Sequence, residues 1–95
     1  MERKAHLTAK VYGRVQGVGF RFYVYHIATA LNLQGYVKNL YNSDIVEVCA
    51  EGQKADLETL IAKLKEGPPA ARIVNLEVKL SDALSDYRGF HINYD

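Results

Sequence analysis

Residues 13–21, with the sequence Gly-Arg-Val-Gln-Gly-Val-Gly-Phe-Arg, combine three glycines with an arginine, Arg21, at the end of the segment. Glycine reaches positive φ without a steric penalty, so a glycine-rich turn allows several backbone N–H groups to point towards one ligand. If a helix begins at this turn, its unpaired N–H groups and partial positive charge attract anions, and Arg21 adds a planar fork of donors. The segment therefore predicts a phosphate-binding site.

The segments on either side of these glycines predict a strand before the turn and a helix after it. Apolar and polar residues alternate over residues 6–12, which is typical of a half-buried strand. Over about residues 21–33 a helix is predicted, and we expect Asn32 and Gly35 to end it. Its apolar side chains recur at helical spacing: Phe20, Val24, Ile27, Ala28 and Leu31.

The middle of the chain predicts a hairpin and a second helix. Short strands over residues 35–39 and 45–51 flank the turn-forming residues 41–44, which indicates a hairpin. The second helix is predicted over about residues 54–66 and ends at Gly67. Its apolar face consists of Leu57, Leu60, Ile61 and Leu64.

The C-terminal part predicts two more strands separated by a polar turn over residues 81–86. The first of them is predicted to place Val74, Leu76, Val78 and Leu80 on one face. In the last strand Phe90, Ile92 and Tyr94 alternate with polar residues. We leave the position of this fifth strand open between an edge of the sheet and a return onto the fourth strand.

The predicted order β-α-β-β-α-β-β defines an α+β protein. Its first six elements form the split β-α-β, or ferredoxin-like, arrangement, an antiparallel sheet with both helices on one face. A right-handed crossover makes the first two strands parallel, and the third strand lies between them. Arg21 and Asn39 therefore follow strands that end at the same edge of the sheet, about 10 Å apart at two strand spacings.

Length and charge restrict the class of protein. The 95 residues predict a single domain over residues 1–95. Twelve basic and eleven acidic side chains leave a net charge of +1, which argues against a nucleic-acid partner held by bulk charge. The sequence contains no apolar run of membrane-spanning length and no signal-peptide core, so we expect a cytoplasmic protein with no membrane partner. Cys49 is the only cysteine and excludes an internal disulfide.

Each candidate residue also has a purely structural interpretation. The glycines could form only a tight turn, and Asn39 could end a strand or cap the hairpin. We expect His26 to be solvated or partly packed and Cys49 to be a small packed residue. Arg21 favours the anion site, because a cation in the first turn of a helix opposes the macrodipole by about 0.3–1 kcal/mol and a bound anion reverses this effect.

Several phosphate-handling signatures are absent from the sequence. Cys49 is not followed five residues later by arginine, so the cysteine-phosphatase loop is missing, and the glycine turn lacks the Lys-Ser/Thr of nucleotide-binding loops. No spaced cluster of His, Asp and Glu suggests a metal site. If the chain is a phosphate enzyme, we therefore expect it to use neither a metal nor an obvious covalent step, which suits an already activated substrate such as an acyl phosphate.

Residues 13–21 and the segment Gly35-Tyr-Val-Lys-Asn39 together resemble the paired motif of the acylphosphatases, and the match extends through the Val-x-Val-x-Ala-x-Gly run over residues 46–52 and Gly-Pro-Pro at Gly67. The resemblance covers nearly the whole chain and implies a ferredoxin-like enzyme. Such enzymes hydrolyse carboxyl-phosphate bonds, as in acetyl phosphate, carbamoyl phosphate and 1,3-bisphosphoglycerate, with no cofactor.

The resemblance also implies a role for each site residue. Arg21 would bind the phosphate, and Asn39 would hold and orient a water for in-line attack at phosphorus, with a substrate phosphate oxygen as the proton acceptor. The phosphate would also be bound by the backbone amides of Val15, Gln16, Gly17, Val18, Gly19 and Phe20. Inorganic phosphate is then expected as product or competitive inhibitor, and the enzyme is expected to be a monomer.

The sequence departs from the family after Asn39. Acylphosphatases usually continue with Leu-Pro-Asp-Gly, one residue, and Val-Glu-Val, whereas this chain has Leu-Tyr-Asn-Ser-Asp-Ile-Val-Glu-Val over residues 40–48. The turn is one residue longer and has no glycine, which predicts a reshaped hairpin tip.

Two other functions are considered. The first is a non-catalytic phosphate or carbamoyl-phosphate binding domain, as in the similar N-terminal domain of hydrogenase-maturation proteins. The second is an RNA-binding module, which is disfavoured because the third strand contains no aromatic residue and two glutamates.

Overall fold

The computed structural model describes residues 3–82 and 84–94. It contains five strands and two helices in the order β1 Lys4–Arg14, α1 Phe20–Ala30, β2 Gln34–Asn39, β3 Ile45–Gln53, α2 Lys54–Glu66, β4 Arg72–Ser81 and β5 Phe90–Asn93. The predicted elements are all present, and the bounds of α2 agree with the prediction. The predicted polar turn over residues 81–86 includes Ala83, which lies outside the described residues.

The five strands form one sheet in the order β4-β1-β3-β2-β5. β3 pairs antiparallel with both β1 and β2, and β1 pairs antiparallel with β4. β5 adds to the outer side of β2 as a parallel strand, so the sheet is mixed rather than purely antiparallel. This is the α+β, ferredoxin-like arrangement that was predicted, with the fifth strand at an edge.

Both helices pack on the same face of the sheet, because the alternation in β1 and the helical spacing in α1 and α2 point apolar side chains at each other. Within the described residues they share one hydrophobic cluster. Its fully buried members include Leu7 and Val11 from β1, Phe20, Val24 and Ala28 from α1, and Leu57, Leu60 and Leu64 from α2. The Tyr23 hydroxyl also donates a hydrogen bond to the Lys63 carbonyl and joins the two helices (2.8 Å). Within the described part of the chain, neither helix has the length and apolar content needed to cross a bilayer.

Two details of the predicted elements are wrong. Val74 is 73% exposed, because a bulge opposite Tyr12 and Gly13 inserts it between Ile73 and Asn75 and turns its side chain away from the core. Ile73 takes its place against the hydrophobic cluster.

Gly35 does not end α1. It is the second residue of β2, with φ of 144°, and a Cβ there would collide with the carbonyl oxygen of Cys49 on β3. Asn32 does follow the helix, in the left-handed conformation with φ of 57°. Gly35 is therefore required for close strand packing and Asn32 for the turn.

Residues 85–87, which follow β4, contact part of the sheet face opposite the helices and are held there by a buried carboxylate. Glu51 on β3 is 6% exposed and accepts hydrogen bonds from the backbone N–H groups of Ser85 and Asp86. His6 Nδ1 lies 2.7 Å from the same carboxylate. Burial acts to raise the pKa of Glu51, but the hydrogen bonds from Ser85, His6 and Asp86 outweigh it and lower the pKa below its ordinary value.

This lowered pKa predicts that Glu51→Gln destabilises the protein at neutral pH. A neutral amide forms weaker hydrogen bonds with the backbone N–H groups of Ser85 and Asp86, and its NH₂ group would face one of these N–H donors. We therefore expect a loss of about 1–3 kcal/mol in the free energy of unfolding. Because the carboxylate is the favoured form in the fold, its contribution exists above about pH 4.3, the ordinary glutamate pKa, and disappears as the pH falls through the lower pKa of folded Glu51. Urea unfolding at pH 7 and below pH 4 measures this.

The matched control is Glu58→Gln, since Glu58 is exposed on α2. It should leave the free energy of unfolding within about 0.5 kcal/mol of the wild type. Equal stabilities of Glu51→Gln and wild type at pH 7 would contradict the assigned role of this carboxylate.

Candidate active site

The turn between β1 and α1 depends on two glycines in the left-handed region, Gly17 with φ of 74° and Gly19 with φ of 78°. A Cβ on either residue would meet no atom within 4 Å, so the requirement for glycine comes from the backbone conformation and not from packing. Gly13, by contrast, belongs to β1, where a Cβ would collide with the carbonyl oxygen of Arg72 on β4. The anion cradle therefore begins after Gly13.

The backbone N–H groups of this turn are free to bind a ligand. Among the described residues, none of the backbone hydrogen bonds in turns and caps is donated by residues 15–20. Gly19 is the N-cap of α1, no side chain caps the helix, and its first turn contains no acidic residue. The N-terminal partial charge of α1 and the positive charge of Arg21 are thus both directed at a place that no described protein anion fills.

A cavity of about 100 Å³ lies at this turn. Its lining residues are Val15, Gly17, Gly19, Phe20, Arg21, Phe22 and Asn39. Arg21 and Asn39, on different elements, are thus brought together at the edge predicted from the crossover. The predicted residues Gln16 and Val18 belong to the same turn but do not line the cavity.

Asn39, which lines this cavity, has a buried hydrogen-bond acceptor. Its Oδ1 is buried and has no protein partner, and it is the one such side-chain atom among the described residues. A buried acceptor without a partner costs about 1–3 kcal/mol unless a water or ligand supplies a donor. The geometry therefore favours a polar guest at Asn39 rather than a role in the turn alone.

The Gln16 side chain connects the cradle to the hairpin that follows Asn39. Its Nε2 donates to the carbonyl oxygens of Leu40 (3.3 Å) and Ile45 (3.0 Å). The N–H of Leu40 in turn donates to the Ile45 carbonyl (2.9 Å) and closes the hairpin turn. Residues 41–44, which form the longer turn, therefore lie between the two carbonyl groups that Gln16 binds. Asn39 lies directly before the first of these groups, so the Gln16 side chain connects the cradle to the strand end that contains Asn39.

The guanidinium group of Arg21 stacks on the ring of Tyr94, with Cζ 4.7 Å from the ring centre. Tyr94 reaches the site because β5 runs parallel to β2, with Lys38 opposite Asn93, so the residue after β5 lies level with Asn39. No carboxylate within residues 3–82 and 84–94 forms an ion pair with Arg21. The ring can hold the guanidinium group in place and leave its charge available for an anion.

The other candidates from the sequence lie outside this site. His26 is exposed on α1 and does not line the cavity. Cys49 is buried on the sheet face opposite the helices, where its Sγ donates to the Tyr36 hydroxyl (3.2 Å). Burial, together with hydrogen bonds to Cys49 and Glu47, raises the pKa of Tyr36. Among the described residues, no three His, Cys, Asp or Glu side chains are arranged to hold a metal ion.

A model of the family described as Acylphosphatase matches residues 7–92. The chain belongs to the acylphosphatase family. An acylphosphatase of Caldivirga maquilingensis is 44% identical over 85 residues, which are 90% of each chain. The crystal structure of acylphosphatase from Bacillus subtilis superposes with a TM-score of 0.90 at 36% identity, and covers 95% of this chain and 99% of that one.

The acylphosphatase domain also occurs inside much longer proteins. A probable carbamoyltransferase HypF of Methanocaldococcus jannaschii is 43% identical over 90 residues, which are 94% of this chain but 12% of that protein. This similarity concerns a small part of the relative, whereas the acylphosphatase relatives match over almost their whole length.

The bridge formed by Gln16 predicts that Gln16→Leu loosens the hairpin turn. Loss of two hydrogen bonds of about 0.5–1.5 kcal/mol each should reduce the protection of the Leu40 N–H against hydrogen exchange by roughly tenfold. Hydrogen exchange followed by NMR measures this residue by residue. The buried helical amide of Leu60 is the internal control and should be unaffected, and unchanged protection at Leu40 would show that the bridge contributes nothing.

Proposed function

We propose that this acylphosphatase-family protein hydrolyses the carboxyl-phosphate bond of acyl phosphates to a carboxylate and inorganic phosphate. The proposal is supported by one cavity that is lined by the glycine turn, Arg21 and Asn39, with the Asn39 Oδ1 acceptor unpartnered. The names of the relatives agree with it.

In the proposed mechanism the cradle binds the phosphoryl group. The backbone N–H groups of Val15, Gln16, Gly17, Val18, Gly19 and Phe20 and the guanidinium group of Arg21 would surround its oxygens. These donors are already oriented before the substrate arrives, since the turn is fixed by Gly17 and Gly19 and the guanidinium group by Tyr94. Preorganised donors of this kind stabilise charge that develops on phosphoryl oxygens in the transition state.

Asn39 would orient the attacking water. Oδ1 accepts a hydrogen bond from the water, whose oxygen forms a new bond to phosphorus while the bond from phosphorus to the acyl oxygen breaks. The carboxylate leaves with the bonding electron pair, and a phosphate oxygen of the substrate accepts the proton of the water. A carboxylate is a good leaving group, so positioning and charge stabilisation are sufficient without a general base from the protein.

We also propose that the enzyme acts without a metal ion, as a cytoplasmic single-domain monomer with inorganic phosphate as a competitive inhibitor. The single domain is supported by the similar length of the relatives named acylphosphatase, of which the chain covers 90% and 95%. Solution mass by light scattering tests the monomer.

The alternative is a domain that binds phosphate or carbamoyl phosphate without hydrolysis. This alternative is supported by the similarity of the chain to part of a probable carbamoyltransferase. The two functions differ at Asn39, because binding requires the cradle and Arg21 whereas hydrolysis also requires a positioned water. Saturable phosphate binding by wild-type protein that hydrolyses no acyl phosphate would favour the alternative.

Substitution of either side chain should separate binding from hydrolysis. Arg21→Ala should lower kcat/KM for acetyl phosphate by roughly 10²–10³-fold and weaken inhibition by phosphate, because it removes a charged donor to the transferred group. Asn39→Ala should lower kcat by about 10²-fold and leave phosphate inhibition close to that of wild type, because the cradle is intact.

Steady-state kinetics measures both effects, and circular dichroism verifies the fold. His26→Ala, an exposed substitution on α1, is the matched control and should keep full activity. An Asn39→Ala variant with wild-type kcat would contradict the role of this residue.

The pH dependence of the chemical step should be nearly flat between about pH 5 and 9, because the proposed step uses no side chain of the protein as a general acid or base. The rate should also be unchanged by a chelator. Stopped-flow measurement of acetyl phosphate hydrolysis with and without EDTA tests both expectations. A limb near pH 6.5 would instead implicate a histidine such as His26, and loss of activity with EDTA would implicate a metal ion.

A further inference from the structure

The cavity is large enough for only part of the substrate. Its volume of about 100 Å³ lies well below the roughly 300–1,000 Å³ of pockets that enclose a whole small-molecule ligand. The acyl group must therefore extend beyond the cavity and contact side chains at its rim.

Phe22 is the lining residue that can make this contact. Val15 and Phe20 are buried in the core, and Gly17 and Gly19 have no side chain. Arg21 and Asn39 are assigned to the phosphoryl group and the water. Phe22, the remaining residue, is 58% exposed.

The surroundings of Phe22 favour an apolar guest. Within the described residues Phe22 forms no ring pair with another aromatic side chain, so a face of its ring is available. Tyr94, which stacks on Arg21, is 69% exposed and adds a second aromatic surface beside the site. Aromatic rings bind flat apolar groups by stacking and by removal of apolar surface from water.

A neighbouring groove is the competing location for the acyl group. It has a volume of about 570 Å³ and its walls include Tyr12, Ile45 and Val74. Gln16 lines this groove, and its side chain donates hydrogen bonds to the carbonyl oxygens of Leu40 and Ile45. Neither Arg21 nor Asn39 lines the groove. Phe22 lines the same cavity as Arg21 and Asn39, whereas the groove with Val74 shares only Val15 with that cavity.

We propose that Phe22 is a specificity-determining residue that contacts the acyl group and gives the enzyme a preference for acyl phosphates with aromatic or large apolar acyl groups. This inference rests on the proposed function. The cradle would then recognise the phosphoryl group of the substrate, and Phe22 would recognise its acyl group.

The test compares kcat/KM for benzoyl phosphate and acetyl phosphate in the wild type, Phe22→Ala and Phe22→Leu. We expect Phe22→Ala to lower the benzoyl-to-acetyl ratio by about three- to tenfold, the effect of one aromatic contact, and Phe22→Leu to retain part of the preference. The inhibition constant of inorganic phosphate should not change in either variant, which separates a contact with the acyl group from a general disturbance of the cradle.

Val74→Ala is the matched control, because it removes another exposed apolar side chain, in this case from the neighbouring groove. It should leave the ratio unchanged. A ratio that is unchanged in Phe22→Ala, or that falls in Val74→Ala instead, would overturn the inference while both substrates are still hydrolysed. Hydrolysis of neither substrate by the wild type would overturn the proposed function itself.

Discussion

The common direction of β1, β2 and β5 is the constraint on which the site depends. β3 pairs antiparallel with both β1 and β2, and β5 pairs parallel with β2, so the C-terminal ends of the three strands meet at one edge of the sheet. Each end supplies a different part: the glycine turn and Arg21 after β1, Asn39 at the end of β2, and Tyr94 after β5. Within the described residues, one apolar core between the sheet and the helices contains side chains of all three strands.

The site combines features that work against the stability of the fold. An arginine in the first turn of α1 opposes the helix dipole, backbone donors of the turn lack partners, and a buried amide oxygen is unpaired. An anion with an associated water, as proposed for the substrate, would offset all three penalties. Backbone strain and unmet polar groups concentrate at functional sites because the ligand, and not the protein, completes their interactions.

Most of the fold, and the meeting of Arg21 and Asn39 at one cavity, could be predicted from patterns in the sequence. Alternation in β1 and helical spacing in α2 are decided within a few neighbouring residues, and the crossover rule then brings Arg21 and Asn39 together. The bulge at Val74 could not be predicted, because it arises from pairing with β1. The contacts of Tyr94 and of the Gln16 side chain were missed because they too arise from tertiary structure. The contact of Tyr94 with Arg21 depends on the edge of the sheet that β5 joins, and the hydrogen bonds of Gln16 depend on the folded hairpin. The only sequence signal for the contact between Tyr94 and Arg21 was the position of Tyr94 at the end of an alternating strand.

The central claim is that a water attacks the phosphorus atom rather than the carbonyl carbon. Its most direct test is hydrolysis of acetyl phosphate in water enriched in the heavy oxygen isotope. Mass spectrometry of the two products then locates the label. Attack on a phosphoryl group bound by Arg21 and the glycine turn, by a water held at Asn39, places the heavy oxygen in inorganic phosphate. Label in acetate instead would show that the acyl bond on the carbon side is broken, and would contradict the account.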